Sequence, residues 1–248
     1  VAALLSVPDT AESWRDARLR AAEILREAGR LDKARRVLAP LQGDAPPAKE
    51  RVELAIGLAQ IEERGGDLVK AARLLDEAAQ RLAPGDDEAR PRLTLARAVL
   101  EEKRGDWRAA LALVDEVLRS DVGNVEALNL WGYVAADHGH EVPRALGRLQ
   151  AALAFEPASG AIIDSVGWAH FQAGDLVRAR LFLEQAGRLL PEDPEVLAHA
   201  AALAERSGDK ARAVAALRKA LGQKMEEPLR KRLQETLGRL EAKEAARP

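Results

Sequence analysis

Apolar residues recur at helical spacing along most of the chain, and short polar turns that contain glycine separate the apolar stretches. In residues 164–191, small and apolar side chains return every three or four positions on both sides of Gly174. Such spacing is typical of amphipathic helices, and glycine permits the positive φ of a tight turn. The stretch therefore predicts two helices joined by a turn at Gly174.

The same two-helix pattern occurs six times. It predicts helix pairs at about 15–48, 51–85, 90–124, 125–159, 160–193 and 194–227, with a turn at residues 42–47, which are rich in Gly and Pro. A last helix is predicted over 228–245, where four leucines form one apolar stripe among many charges. Because a single pair cannot bury both of its faces, the pairs must stack, and the last helix covers the end of the stack. We expect one all-α domain over residues 1–248.

The spacing of small residues in the fifth pair resembles the tetratricopeptide repeat, a helix-turn-helix unit of about 34 residues. Counted from Gly160 as position 1, the signature residues are Gly167 at 8, Gly174 at 15, Ala179 at 20, Leu183 at 24, Ala186 at 27 and Pro191 at 32. This resemblance implies a right-handed superhelical α-solenoid of about six repeats with a C-terminal capping helix. It also implies that the first helix of each repeat lines the inner wall of a groove.

Two longer segments, NVEALNLWGYVAADHGH and DSVGWAHFQAGDLVRARLFLEQA, are similar to the C-terminal arrays of bacterial tetratricopeptide proteins. Many of those proteins are exported lipoproteins, so the resemblance implies a periplasmic or outer-membrane-associated location. The chain departs from them at Ala200-Ala201-Ala202, where relatives usually carry Leu-Gly-Glu. It begins at VAALLSVP without methionine, so we expect an upstream segment, where a signal or lipid-attachment sequence would lie. The alternative is a cytoplasmic adaptor or regulator.

Composition narrows the class of partner. The chain has 38 basic and 40 acidic side chains, which favours a protein partner over a nucleic acid. Its lack of cysteine excludes disulfides, thiolate catalysis and cysteine zinc sites. No apolar run approaches the roughly 18 residues that a membrane span needs. We expect a protein that binds other proteins and needs no cofactor; its oligomeric state is left open.

Residues at positions 2, 5, 9, 12 and 13 line the groove in tetratricopeptide proteins, and the resemblance assigns those positions here. In the N-terminal half they form an acidic ladder of Glu62, Glu63, Glu101 and Glu102. In the C-terminal half they add polar and aromatic residues, namely Asn129, Tyr133, Asp137, Asp164, Trp168, Phe171, Gln172 and Arg206. We expect a partner segment with Lys or Arg toward repeats two and three and an apolar side chain toward repeats four and five.

Each of these assignments has a structural alternative. The carboxylates near helix ends are either a partner surface or simply solvated, and Trp168 and Tyr133 either anchor a partner or pack against neighbouring helices. The acidic wall also argues against the chaperone C-terminal tails that other tetratricopeptide domains hold with Lys, Asn and Arg.

Catalytic or metal-binding chemistry has weak support in the sequence. Asp164, Ser165 and His170 suggest a triad, but helical spacing turns them to different faces. His138 and His140, with Asp137, lie in a turn and lack further ligands, and His199 is predicted to be isolated. We expect a non-catalytic protein; an enzyme subunit would require an attached domain.

Overall fold

The computed structural model describes residues 1–42, 47–86 and 88–245, with side chains to residue 242. These residues form fourteen α-helices and one 3₁₀ turn and contain no strand, which confirms the predicted all-α class. The centre of the turn predicted at residues 42–47 lies outside the described residues. The chain divides into two compact units, Val1–Val117 and Leu118–Pro248. The single domain over residues 1–248 stays a prediction.

The first unit begins with a short helix and continues as helical hairpins. Its helices are α1 (Ala2–Leu5), α2 (Trp14–Glu27), α3 (Leu31–Leu38), α4 (Ala48–Arg64), α5 (Leu68–Gln80) and α6 (Arg90–Lys103), and α7 (Trp107–Ser120) contains the boundary between the units. Helices α2 and α3 pack together, as do α4 and α5. Buried aliphatic residues between the hairpins, such as Leu25, Leu38 and Ile61, form its core.

The second unit contains three hairpins and a terminal helix. Its helices are α8 (Val125–Asp137), α9 (Val142–Phe155), α10 (Gly160–Gln172), α11 (Leu176–Leu189), α12 (Pro194–Arg206), α13 (Lys210–Leu221) and α14 (Glu227–Ala245). Helix α10 contacts both α8 and α12, so the first helices of successive hairpins lie side by side. Side chains from three hairpins can therefore meet on one surface.

The turn inside most hairpins has the same local chemistry, a glycine followed by an aspartate. Gly174 has a φ of 80°, which L side chains rarely adopt, so glycine is required there. The Asp175 carboxylate then accepts a hydrogen bond from the Arg178 backbone N–H and caps α11. The aspartates that cap α5, α7 and α13 make the same bond; they are Asp67, Asp106 and Asp209. This pair of residues ends one helix and begins the next.

Two glycines allow close contact between the helices of a hairpin. A Cβ atom at Gly132 would lie 2.4 Å from Leu149 Cγ, and one at Gly167 would lie 2.8 Å from Leu183 Cγ. Both leucines are buried in the second helix of the same hairpin. In both hairpins the glycine of the first helix therefore packs directly against the leucine of the second.

Helix α14 covers the C-terminal end of the second unit. Leu233 and Leu240 are buried, and they belong to one apolar cluster with Leu197 of α12 and Leu217 of α13. Leu229 and Leu237 complete the predicted stripe at the edge of that cluster. Across the described part of the chain, no helix is long and apolar enough to span a membrane.

Candidate partner-binding surfaces

Four ring side chains meet on the first helices of the three hairpins of the second unit. We call Tyr133, Trp168, Phe171 and His199 the aromatic cluster. The ring of Trp168 stacks on His199 with a centroid distance of 4.1 Å and on Phe171 with one of 4.9 Å. Tyr133 lies 6.2 Å from His199 at a tilt of 45°. Tyr133 and Trp168 remain only partly buried, so the cluster reaches the surface.

Polar side chains hold these rings in place. The indole Nε1 of Trp168 donates a hydrogen bond of 2.8 Å to Asp137 Oδ1. The Gln172 side-chain amide donates to the Asp137 backbone carbonyl at 3.4 Å. The guanidinium of Arg206 lies 5.7 Å from the Phe171 ring. These contacts join α8 to α10 and α10 to α12, and together they fix the orientation of Trp168.

Asp164 forms the buried base of this surface. Its Oδ2 lies 2.7 Å from His199 Nδ1, and both side chains are more than nine-tenths buried. Its Oδ1 is buried without a hydrogen-bond partner, as is Oδ1 of Asn129 on α8. The predicted polar and aromatic residues of the C-terminal half therefore lie on three neighbouring helices, where they surround or adjoin the cluster.

His199 was predicted to be isolated, and that prediction was wrong. It bonds Asp164, which lies 35 residues earlier, and Gln172 bonds Asp137 across the same interval. This interval is close to one repeat length, so residues at the same or adjacent positions of successive repeats meet. A search of the sequence for polar pairs at that spacing would have found the contact.

Glu62 lies inside the first unit. Its carboxylate accepts hydrogen bonds from Arg35 Nε at 2.9 Å and Nη2 at 3.0 Å, and Lys70 Nζ lies at 3.0 Å. The hydrogen bonds from Arg35 hold the pKa of Glu62 below its ordinary value, against the opposite effect of burial. The residue thus joins α3, α4 and α5, and we leave it out of the proposed binding surface.

The neighbouring acidic residues also have basic partners within the chain. Glu63 of α4 pairs with Lys103 of α6. Glu101 pairs with Arg104, which lies three residues further along the chain, at 3.0 Å. Glu102, the fourth member of the predicted ladder, is half-buried on α6. Because each paired carboxylate faces its own base, the ladder presents less negative charge than the sequence suggests.

The residues of the possible triad do not assemble. Ser165 Oγ donates to the Ala161 carbonyl at 3.0 Å, and the carboxylate of Asp164 faces His199 instead of His170. His170 is buried and stacks on Phe182 at 5.6 Å, and burial lowers its pKa. Within the described ranges no three His, Asp or Glu side chains, including His138 and His140, are grouped to hold a metal ion.

Comparison with known proteins agrees with the repeat architecture. Residues 19–87 match the tetratricopeptide repeat family. A TPR repeat-containing protein of Pseudomonas aeruginosa, PA4667, is 30% identical over 183 residues, which is 74% of this chain and 30% of the relative. Bacteriophage adsorption protein A of Escherichia coli is 36% identical over 70 residues, or 28% of this chain and 7% of that protein. The chain thus spans less than a third of either relative.

Solved structures of similar fold include several repeat proteins. A thermophilic TPR protein of Thermus thermophilus has a TM-score of 0.62 at 20% identity and covers 76% of this chain and 98% of its own. A chain of the APC/C hetero-tetramer Cut9-Hcn1 has a TM-score of 0.68 at 17% identity. The match covers 96% of this chain and 45% of that one. PilW, a type IV pilus biogenesis factor, has a TM-score of 0.58 at 17% identity. The match covers 72% of this chain and 78% of PilW.

The helical hairpins, their Gly-Asp turns and these matches define an α-solenoid repeat protein. The chain has the fold of a tetratricopeptide repeat protein, and its residues 19–87 match the family in sequence.

Proposed function

We propose that this protein is a non-catalytic scaffold or assembly factor that binds a segment of another protein at the aromatic cluster. The observation that carries the proposal is the partly exposed Trp168, held by Asp137 and stacked between repeats. Tryptophan and tyrosine are enriched at the centres of protein interfaces. A ring that is already fixed loses little conformational freedom when a partner binds, which favours affinity.

The chemistry of the cluster suits an apolar anchor with polar surroundings. Tyr133 and Trp168 supply apolar ring surface, while Gln172, bonded to Asp137, and Arg206, beside Phe171, supply hydrogen-bonding groups. We therefore keep the predicted apolar side chain of the partner at repeats four and five. The predicted basic part, opposite Glu63 and Glu101, has weaker support because these carboxylates already pair with Lys103 and Arg104.

We place this function in a bacterial cell-envelope complex. The proposal is supported by the similarity of residues 124–140 and 164–186 to arrays found in exported lipoproteins, and by the likeness in fold to a pilus biogenesis factor. A cytoplasmic adaptor that uses the same surface is the alternative. The envelope scaffold and the cytoplasmic adaptor differ in the cell compartment where the full-length protein should be found.

The experiment replaces the exposed rings and compares captured partners. In the source cells, the Tyr133→Ala, Trp168→Ala double variant should lose at least about tenfold in the yield of specific partners, since truncating an interface hot spot costs about 2 kcal/mol or more. Phe155→Ala is the matched control because Phe155 is an aromatic residue of the same unit, 64% exposed, outside the cluster. Affinity capture followed by mass spectrometry measures the yield.

Folding has to be checked because Trp168 also packs inside the unit. Circular dichroism at the assay temperature shows whether the double variant keeps its helices, and Gln172→Arg alters the exposed rim without removing a ring. A folded double variant that captures the same partners at the same yield would disprove binding at the cluster.

A further inference from the structure

A cavity of about 350 Å³ lies between α11 and α13 in the second unit. Leu183 and Gly187 line it on α11, and the small side chains of Ala200 and Ala204 line it on α12. A Cβ at Gly187 would meet nothing within 4 Å, so the cavity has room on that side. Helices α11 and α13 are the second helices of their hairpins, and the cavity shares no lining residue with the aromatic cluster.

Three arginines and two carboxylates line this cavity, which leaves one positive charge in its lining. Arg212 Nη2 lies 3.0 Å from Glu184 Oε1, so these two charges form a pair. Asp209 accepts a hydrogen bond from the Arg212 backbone N–H and caps α13. The two remaining charges are Arg180 and Arg188, both on α11.

Arg180 and Arg188 do not face an acid. Within the described ranges no carboxylate pairs with either residue, and Arg180 makes only a long contact of 3.5 Å with Ser207 Oγ. Both arginines are exposed. They lie eight positions apart on one helix, which corresponds to about 12 Å along its axis. Their positive charges are therefore available to anionic groups outside the chain.

Two apolar side chains lie beside these arginines on the exposed side of α11. Val177 is 83% exposed and Leu181 is 62% exposed. Their spacing of four residues places them on one face of the helix, and Arg188 lies on the same face two turns beyond Leu181. Exposed apolar side chains next to arginines are typical of helices that lie in a membrane interface.

We propose that α11 binds the surface of a membrane that contains anionic phospholipids. Arg180 and Arg188 bind lipid phosphate groups at the cavity, while Val177 and Leu181 enter the boundary between headgroups and acyl chains. The planar guanidinium donates two parallel hydrogen bonds to phosphate oxygens. A lipid surface presents phosphates at many lateral spacings, so it can satisfy both arginines at once. A soluble phosphate would leave the two apolar side chains in water.

The attraction must come from this local surface, because the whole chain carries a formal net charge of −2. A chain with that charge has no general attraction to an anionic membrane. Basic residues act on such a surface only within a Debye length, which is about 8 Å at physiological salt. Binding should therefore depend on the residues of α11 and weaken as salt is added.

Flotation of the purified chain with lipid vesicles tests the proposal. The chain should float with vesicles of phosphatidylcholine and phosphatidylglycerol, and much less with vesicles of phosphatidylcholine alone. Each arginine near an anionic surface contributes about fivefold to binding, so the Arg180→Gln, Arg188→Gln variant should bind at least about tenfold more weakly. The Val177→Gln, Leu181→Gln variant should also bind more weakly, because its side chains no longer favour the acyl boundary.

Two control variants remove the same chemistry elsewhere in the second unit. Lys231→Gln, Arg232→Gln removes two exposed charges from α14, and Val122→Gln, Phe155→Gln removes two exposed apolar side chains. Both variants should float like the wild type. Circular dichroism shows that each variant keeps its helices, as expected for changes at exposed positions.

The proposal is overturned if the wild type does not float with the anionic vesicles. It is also overturned if a folded Arg180→Gln, Arg188→Gln variant floats unchanged, or if the Lys231→Gln, Arg232→Gln variant loses as much binding. In either of these cases the arginines of α11 do not direct the binding.

The other possible occupants of the cavity are tested separately. Inorganic phosphate and an acidic peptide of glutamate and leucine are titrated while the amide NMR signal of Gly187 is followed. A saturable shift with either probe, without vesicle binding, would assign the cavity to a soluble anion or to a protein and overturn the membrane proposal. The Tyr133→Ala, Trp168→Ala variant should float like the wild type, so this proposal and the proposed function can fail independently.

Discussion

Glu62 shows how a charged residue can sit almost fully buried. Its carboxylate is desolvated, which disfavours the charge, but Arg35 donates two hydrogen bonds to it and Lys70 adds a third contact. The pKa of Glu62 falls below its ordinary value of 4.5, and that of Arg35 rises, both chiefly because of their shared hydrogen bonds. The charged pair is therefore part of the packing of the first unit.

The lowered pKa predicts how this pair depends on pH. A carboxyl group whose pKa is depressed by folding stabilises the protein above its unfolded pKa and loses that contribution as the pH falls through the folded one. Glu62→Gln should lower the free energy of unfolding by about 1–3 kcal/mol at pH 6, with the difference shrinking below pH 4.5. Urea unfolding followed by circular dichroism at several pH values measures it.

Glu101→Gln provides the comparison for that experiment. The pair that Glu101 forms with Arg104 is partly exposed, so the substitution should change stability by less than about 0.5 kcal/mol. If Glu62→Gln lowers stability equally at pH 3 and pH 6, the charged form of Glu62 is not what stabilises the unit.

Two hairpins of the second unit depend on how closely their two helices approach. Gly167 of α10 lies directly against Leu183 of α11, and the α8–α9 hairpin repeats this contact with Gly132 and Leu149. Glycine weakens a helix interior by about 1 kcal/mol relative to alanine. At these two positions the closer packing compensates for that cost.

This balance predicts opposite effects for two glycine substitutions in one unit. Gly167→Ala should lower stability by about 1–3 kcal/mol because the new methyl group would overlap Leu183. Gly147→Ala in α9 should raise it by about 0.5–1 kcal/mol, since a Cβ there meets nothing within 4 Å and alanine favours the helix. Thermal unfolding measures both, and shifts of the same sign would contradict this account.

The hairpins could be predicted from the sequence because their determinants are local. A Gly-Asp turn, a small residue and a leucine at fixed spacing suffice for the α10–α11 hairpin. The candidate binding surface could not be predicted in the same way, because it depends on which polar groups pair across repeats. Nothing within α12 indicates that His199 bonds Asp164 of α10.

At the scale of the whole molecule, location separates the two proposed functions. If the protein works in an envelope complex, the full-length product should appear in the periplasmic or outer-membrane fraction of its cells, with lipid attached if an upstream cysteine is modified. Fractionation and labelling with a radioactive fatty acid measure this. A cytosolic marker protein serves as control, and finding the full-length protein only beside that marker would favour the adaptor.

Helix α14 determines where the second unit stops. Each hairpin presents apolar surface to the next, so an uncovered last hairpin could accept another molecule and begin a fibre. On α14, Leu233 and Leu240 face the unit, whereas Lys231, Arg232 and Glu235 are exposed on the other side. Stacking a second copy there would require desolvating those charges. The charged face of α14 therefore disfavours end-to-end stacking of a second copy on this side of the unit.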